Sequence, residues 1–283
     1  MNSAEKKKIF NRLLFRWHRT HYRDMPWRRT HDPYRILVSE IMLQQTQVDR
    51  VRAKYVQFLK DFPSVAALAR APLGDVLRTW SGLGYNRRAR YLHECAKQIS
   101  AEHQGKIPDD LHELKKLPGI GLSTAGALLV FAFNRDEPMI DTNIRRLLAR
   151  TFFKKNIPND DELYVFARSL IPLGKGRAWN YAMLDLGATL CTACNHKSDC
   201  PLIKLHGKVG DFQYKKPQKK FAGSQRFYRG KILRFLVEHG TATNGGLSQY
   251  LGRTKKEVGD LIKGLGREKL VAFQGNKIIL PRR

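Results

Sequence analysis

Between Ala4 and Leu190 apolar residues recur at three- and four-residue intervals, a periodicity that confines this part of the chain to packed helices. Ile9, Phe10, Leu13, Leu14 and Trp17 give an amphipathic opening helix over roughly residues 4–22. Met25-Pro26-Trp27-Arg28 breaks it and Asp32-Pro33-Tyr34 marks a second turn, after which one long helical pattern runs over 36–58. Further helices are predicted over 64–70, 73–80, 87–103, 110–115, 123–133, 142–152, 160–170 and 177–190. Strand signals are nearly absent there. The connections are short and rich in Pro, Gly and Asp, which fits a compact all-α domain.

After Cys200 the pattern changes. Asp211 to Gln225 carries the basic run Lys215-Lys216-Pro217-Gln218-Lys219-Lys220 and little that could build a core, so it reads as a linker or a solvated charged loop. From Phe227 the chain becomes compact again. Ile232, Phe235 and Leu236 mark one helix, Leu247 to Leu251 a short second, and Val258, Leu261, Ile262 and Leu265 a third, opened by the capping box of Thr254 and Glu257. Leu270 to Phe273 and Lys277 to Leu280 flank Gln274-Gly275-Asn276, a hairpin signal. Three helices and a two-stranded wing resemble a winged-helix module. Lys255, Lys256, Lys263 and Arg267 on the third helix favour DNA over a protein docking role. The predicted organisation is a helical domain over 1–210, a basic linker over 211–225 and a winged-helix-like, DNA-binding domain over 226–283.

The 283 residues hold 52 Lys plus Arg against 25 Asp plus Glu, a formal net charge of +27. A polyanionic partner follows, and its binding should weaken steeply with salt because neutralised phosphates release counterions. The basic residues interleave with a normal apolar complement, which points to folded nucleic-acid-binding domains. The longest apolar stretch, Ala125 to Phe133, falls short of the ~20 residues of a membrane helix, so no membrane is expected. The polar start, Asn2 to Lys8, lacks a signal segment, and an intracellular protein is expected, nucleoid-associated if bacterial. Cys95 stands alone in a helical pattern, whereas Cys191, Cys194 and Cys200 cluster, which in a reducing compartment argues for metal ligation over disulfides.

Leu117-Pro118-Gly119-Ile120-Gly121 is a turn that opens an apolar helix. Pro118 fixes φ, while Gly119 and Gly121 tolerate φ > 0 and close approach of a ligand. Ser123 and Thr124 can satisfy the first free amides, and the helix N-terminus would attract a phosphate. Taken alone, these residues favour an ordinary loop into a core helix. An isolated carboxylate, Asp141, follows in Ile140-Asp141-Thr142-Asn143.

The block Ser39-Glu40-Ile41-Met42-Leu43-Gln44-Gln45-Thr46-Gln47-Val48 resembles the MutY-type adenine DNA glycosylases of the helix-hairpin-helix superfamily, which also includes endonuclease III. Pro26-Trp27-Arg28, Trp80-Ser81-Gly82-Leu83-Gly84-Tyr85, Arg88-Ala89-Arg90, the Leu117–Gly121 turn, Ser123-Thr124-Ala125-Gly126, and Asp141 with Asn143 continue it in order through about three quarters of the chain. The resemblance implies two helical subdomains with a base pocket between them, the hairpin on a phosphate, and a flipped adenine as substrate. It makes Glu40 the proton donor to the adenine ring and Asp141 the carboxylate that stabilises or traps the sugar cation. That division needs Glu40 buried with a raised pKa and Asp141 ionised. The DNA-binding set it implies is Gln44, Gln45, Tyr85, Arg88, Gly119, Gly121, Ser123 and Thr124, with Gln44, Gln45 and Tyr85 wedging into the opened stack. Ser123 stands where the lyase branch carries its lysine, which implies a monofunctional glycosylase that leaves an abasic site.

Several features depart from the family pattern. The family's four cysteines, C-x6-C-x2-C-x5-C, hold a [4Fe-4S] cluster; here Cys191, Cys194, Cys200 and His206 would supply three thiolates and an imidazole, a set that also suits zinc or a degenerate site without metal. The region after Gly223 is too short for the usual domain that recognises 8-oxoguanine, Asn86 replaces an aromatic after Tyr85, and Thr142 replaces a glycine after Asp141. The reading is therefore a monomeric glycosylase that removes adenine opposite guanine or 8-oxoguanine in duplex DNA. A thymine or uracil mismatch glycosylase on the same scaffold is the nearest rival, and a non-catalytic DNA-binding regulator the rival from another class.

Overall fold

A computed structural model describes residues 2–153, 158–192, 199–206 and 220–282. The helices are α1 (Ser3–His21), α2 (Pro33–Leu43), α3 (Val48–Asp61), α4 (Val65–Arg70), α5 (Leu73–Trp80), α6 (Arg87–Glu102), α7 (Leu111–Lys116), α8 (Leu122–Phe131), α9 (Thr142–Leu148), α10 (Asp160–Arg168), α11 (Gly176–Thr189), α12 (Ile203–His206), α13 (Gln225–His239), α14 (Asn244–Leu251) and α15 (Lys255–Arg267). Three short strands, β1 (Thr241–Ala242), β2 (Ala272–Gln274) and β3 (Lys277–Ile279), lie near the C-terminus. The mainly helical class expected from periodicity is what forms. The chain divides into two compact units, one of Met1–Ile36, Asp109–Lys115 and Ile120–Pro217, the other of Leu37–Pro108, Lys116–Gly119 and Gln218–Arg283.

In the first unit α1 buries Phe10, Leu14 and Trp17 in one core with Ile144, Leu147 and Leu148 of α9, Leu163 of α10, and Trp179, Met183 and Leu186 of α11. Asn2 caps α1 by accepting from the Glu5 N–H at 2.8 Å. The Pro-Trp-Arg turn is tied down by Asp185 of α11, whose side chain is wholly buried. Arg28 donates to both Asp185 oxygens at 2.8 Å, His18 Nε2 lies 3.0 Å away, and the Arg23 N–H donates at 3.2 Å. Burial alone would raise the Asp185 pKa, but the hydrogen bonds from His18 and Arg28 hold it below the ordinary carboxylate range. After α9 the backbone continues as a π-helical turn over Ala149–Phe153, so the predicted α-helix over 142–152 ends four residues early.

In the second unit the single helix predicted over 36–58 is broken into α2 and α3. Gln45 adopts a left-handed φ of 56°, and the carbonyls of Ile41, Met42 and Gln44 accept from the Arg88 guanidinium of α6 instead of the next helical turn. A residue more than forty positions away thus supplies the helix end that nothing local encodes. α4 and α5 pack against α6.

The C-terminal part of this unit has the predicted three helices. Ser224 caps α13, Thr243 caps α14, and Thr254 with Glu257 forms the expected capping box of α15. β2 and β3 pair antiparallel with Phe273 opposite Ile278, while β1, which alternation did not reveal, pairs on the other edge of β3. Leu270 and Val271, expected in the first wing strand, instead precede β2 and are buried. Of the predicted linker, the residues up to 219 lie outside the described ones.

Candidate active site and duplex-contacting loops

Asp141 is the N-cap of α9. Its carboxylate accepts from the Ile144 N–H at 2.7 Å and from the Asn143 side-chain amide at 2.8 Å. The approach to it is built from small residues. A Cβ at Gly126 of α8 would fall 2.4 Å from the Pro138 carbonyl oxygen, and one at Gly187 of α11 would fall 2.7 Å from Asn143 Cβ. Asn180, fully buried, accepts from the Met139 N–H at 2.8 Å and donates to the carbonyls of Glu137 and Gly176. Burial pushes the Asp141 carboxyl above the ordinary range, opposed by the Ile144 N–H, by Asn143 and by the charge of Arg146.

Arg146 joins this carboxylate to the cysteine loop. It is 5 % exposed, and its guanidinium donates to Asn143 Oδ1 at 2.8 Å, to the Gly187 carbonyl at 2.8 Å and, through Nε, to the Cys191 carbonyl at 2.7 Å. Arg150, one turn on, lies 3.1 Å from Cys191 Sγ and donates to the Thr192 carbonyl at 3.0 Å. Cys191, Cys200 and His206 are all buried, and His206 Nε2 lies 4.0 Å from Cys200 Sγ. Burial pushes the Cys200 thiol up to about 11, and the neighbouring Cys191 adds to this. Two buried sulfurs, one buried imidazole and the buried Arg150 guanidinium beside Cys191 Sγ fit a site for a thiophilic metal group. Cys194, the remaining predicted ligand, lies outside the described residues.

In the other unit Glu40 sits on α2 beside Ser39 and is 8 % exposed. Arg88, also 8 % exposed, spends its guanidinium on protein acceptors from two loops. Besides the three carbonyls of 41–44 it donates to Thr46 Oγ1 at 2.9 Å and to the carbonyls of Leu83 and Gly84 at 3.4 and 3.0 Å. Burial lowers its pKa to about 10. Its guanidinium carbon lies 5.3 Å from the Trp80 ring and 5.5 Å from the Tyr85 ring. The predicted wedge residues are thereby gathered. Gln45 is exposed at φ 56°, Gln44 is half-buried, and Tyr85, 39 % exposed, follows Gly84 with φ 48°.

The glycine turn behaves differently at its two glycines. Gly119 has φ 79°, and a Cβ there would come 2.9 Å from Tyr91 Cβ, so any other residue is excluded twice. Gly121 is extended, forms the N-cap of α8, and has nothing within 4 Å of where a Cβ would stand. Space remains there for a ligand to approach the backbone. Ser123 is half-buried and Thr124 buried. Sequence reasoning did not single out Arg146, Arg150 or Asn180. An arginine pair, Arg145-Arg146, inside the apolar run of α9 was the available signal, since a cation there must find buried acceptors.

The family described as HhH-GPD superfamily base excision DNA repair protein matches residues 38–172. The chain is 36 % identical over 230 residues to the adenine DNA glycosylase of Buchnera aphidicola, a match covering 78 % of this chain and 65 % of that protein. It is 37 % identical over 235 residues to the adenine DNA glycosylase of Mycolicibacterium smegmatis, covering 81 % of this chain and 80 % of the relative. Among solved structures, a thermostable thymine-DNA glycosylase superposes with a TM-score of 0.69 at 29 % identity, covering 72 % of this chain and 97 % of that one. With the blocks around Glu40 and Asp141 set in this helical frame, the chain belongs to the HhH-GPD superfamily of base excision DNA repair proteins and, within it, to the MutY type.

Proposed function

We propose that this chain hydrolyses the N-glycosidic bond of a mispaired adenine flipped from duplex DNA, opposite guanine or 8-oxoguanine. The observation that carries the reading is Asp141, a carboxylate capped by Ile144, held by Asn143 and backed by the Arg146 cation, within a chain 36–37 % identical to adenine DNA glycosylases. Glu40 gives its proton to the purine ring. The C1′–N9 bond breaks with its electron pair on the base, and the positive charge left on the sugar is stabilised by the Asp141 carboxylate. Water then adds to C1′ and returns a proton to Glu40. With Ser123 at the lyase lysine position no Schiff base forms, and the product is an abasic site.

Gly119 and Gly121 grip a backbone phosphate with Ser123 and Thr124 beside them, while Gln44, Gln45 and Tyr85 fill the vacated stack. Arg88 serves DNA binding through the shape it imposes on both wedge loops, since both of its terminal nitrogens already donate to protein acceptors. The exposed Lys255, Lys256, Lys263 and Arg267 of α15 give the C-terminal module a second contact with the duplex. Cys191, Cys194, Cys200 and His206 would hold a [4Fe-4S] cluster, which when bound cross-links the loop and can exchange one electron. The enzyme acts as a monomer inside the cell, at the nucleoid in a bacterium. Among the described residues no helix is long and apolar enough to cross a membrane.

The likeness to a thymine-DNA glycosylase at 29 % identity favours one rival, removal of thymine or uracil opposite guanine. Duplexes containing A:8-oxoG, A:G, T:G or U:G, incubated with enzyme and then treated with alkali, separate the readings. Cleavage of the adenine duplexes only after alkali is expected. Cleavage without alkali would remove the monofunctional assignment, and retained binding with no cleavage of any duplex would leave a non-catalytic regulator. Glu40→Gln should abolish excision and keep DNA affinity. Absorbance of the purified protein near 400 nm tests for the cluster.

A further inference from the structure

The C-terminal module lies beyond the family match at 38–172, yet it is fastened to the wedge loops within the same compact unit. The Gly74 N–H, in the first turn of α5, donates to the Pro281 carbonyl at 2.8 Å. The N-cap of α5 is Pro72, which makes no side-chain cap, so the C-terminal segment satisfies a helix-end donor. A Cβ at Gly74 would lie 2.5 Å from that same oxygen. Glu268, at the end of α15, completes the seam. Its carbonyl accepts from Arg90 at 3.1 Å, and its carboxylate pairs with Arg229 at 2.5 Å and Arg87 at 3.7 Å.

Beside this seam the first turn of α13 reaches Tyr85 through Arg226. Arg226 donates from Nη1 to the Tyr85 hydroxyl at 2.8 Å, with its guanidinium carbon 5.8 Å from the ring centroid. The ring thus lies near two guanidiniums, the buried one of Arg88 and the exposed one of Arg226. Tyr85 also holds a left-handed backbone that a bulky residue adopts only when its surroundings enforce it. An aromatic side chain fixed before binding loses less rotamer freedom when it enters a base stack.

We propose that Arg226 is a positioning residue for the Tyr85 wedge, so that the C-terminal module takes part in opening the base pair as well as in binding duplex. The inference rests on the glycosylase reading above. Its rival is an arginine that merely contacts a phosphate.

The test uses the full chain, with Arg226→Met and Tyr85→Phe singly and together, on A:G and A:8-oxoG duplexes carrying 2-aminopurine beside the adenine. Single-turnover excision at saturating enzyme and the 2-aminopurine fluorescence rise are read, along with the salt dependence of binding. Each single variant should slow excision and base opening about tenfold, as loss of one charge-assisted hydrogen bond does. The double variant should be no slower than either single one, with the salt slope unchanged. An Arg226→Met enzyme that excises at the normal rate once bound, with a salt slope lower by about one, would make Arg226 a phosphate contact and end the proposal. Effects that multiply in the double variant would end it too. Wild-type protein that releases no base from any duplex would instead remove the glycosylase reading on which it rests.

Discussion

The surroundings of Asp141 and those of Tyr85 solve opposite problems. Asp141 must hold one charge in one place, and its unit does so with regular backbone: a helix N-cap, two glycines that let α8 and α11 close in, and a buried asparagine and arginine with their hydrogen bonds filled. Tyr85 and Gln45 stand out from the protein, and their unit holds them with left-handed backbone at both positions and one arginine that binds both loops from behind. The Asp141 carboxylate is placed by packing around it. Gln45 and Tyr85 are exposed, so backbone fixed underneath sets their position, joined at Tyr85 by the Arg226 contact to its hydroxyl.

The most severe test of this contrast is Arg88→Ala. It strips the donor from carbonyls at 41, 42, 44, 83 and 84 at once, and should cost about 4 kcal/mol of stability, seen as a lowered urea midpoint. Hydrogen exchange should quicken in α2 and α6 while α9 and α11 keep their protection. Equal loosening of both units would break the comparison.

Arg146→Met is the counterpart for the other unit and should cost about 3 kcal/mol, because it orphans Asn143 Oδ1 and the Gly187 and Cys191 carbonyls. Excision should fall with it even on tightly bound duplex. Gly74→Ala is milder, about 1–2 kcal/mol from a displaced C-terminal segment, and should raise proteolytic cleavage near residue 281 without affecting α9. An unchanged cleavage pattern would show that the seam has room to give.

The smallest effect concerns pH. The folded-state pKa of Asp141 is raised, so the folded chain binds its proton more tightly than the unfolded chain. Between the ordinary value of 3.8 and the raised one, stability therefore falls as pH rises, and above that window the ionised group is a standing cost. Asp141→Asn should lose excision and be slightly more stable than wild type at neutral pH, with the difference vanishing below the ordinary carboxylate range. A variant less stable at every pH would mean that its hydrogen bonds outweigh its desolvation.

The helices over 65–70 and 160–168 were legible because each carries its own apolar period and its own N-cap, as did the Thr254 and Glu257 box of α15, whereas 73–80 was legible by its apolar period alone. The pattern over 36–58 was misleading for a reason that lies outside it. Its apolar period runs on past Leu43, and only the Arg88 guanidinium, arriving from α6, turns the carbonyls of 41–44 away from a further helical turn. β1 escaped notice because two residues are too few to show alternation, and it exists only as a partner for β3.

The amino-acid order alone determined the helical class, the positive charge, the capped helices, and the blocks around Glu40 and Asp141 that carry the family relationship, because all of these are properties of neighbours along the chain. Tertiary structure decided which arginines are buried, at 28, 88, 145, 146 and 150 among the described residues, and which stay outside, how Asp141 is linked through Asn143 and Arg146 to Cys191, and that Arg226 meets Tyr85. A buried cation needs acceptors that only folding can assemble, and no local pattern distinguishes it from a solvated one.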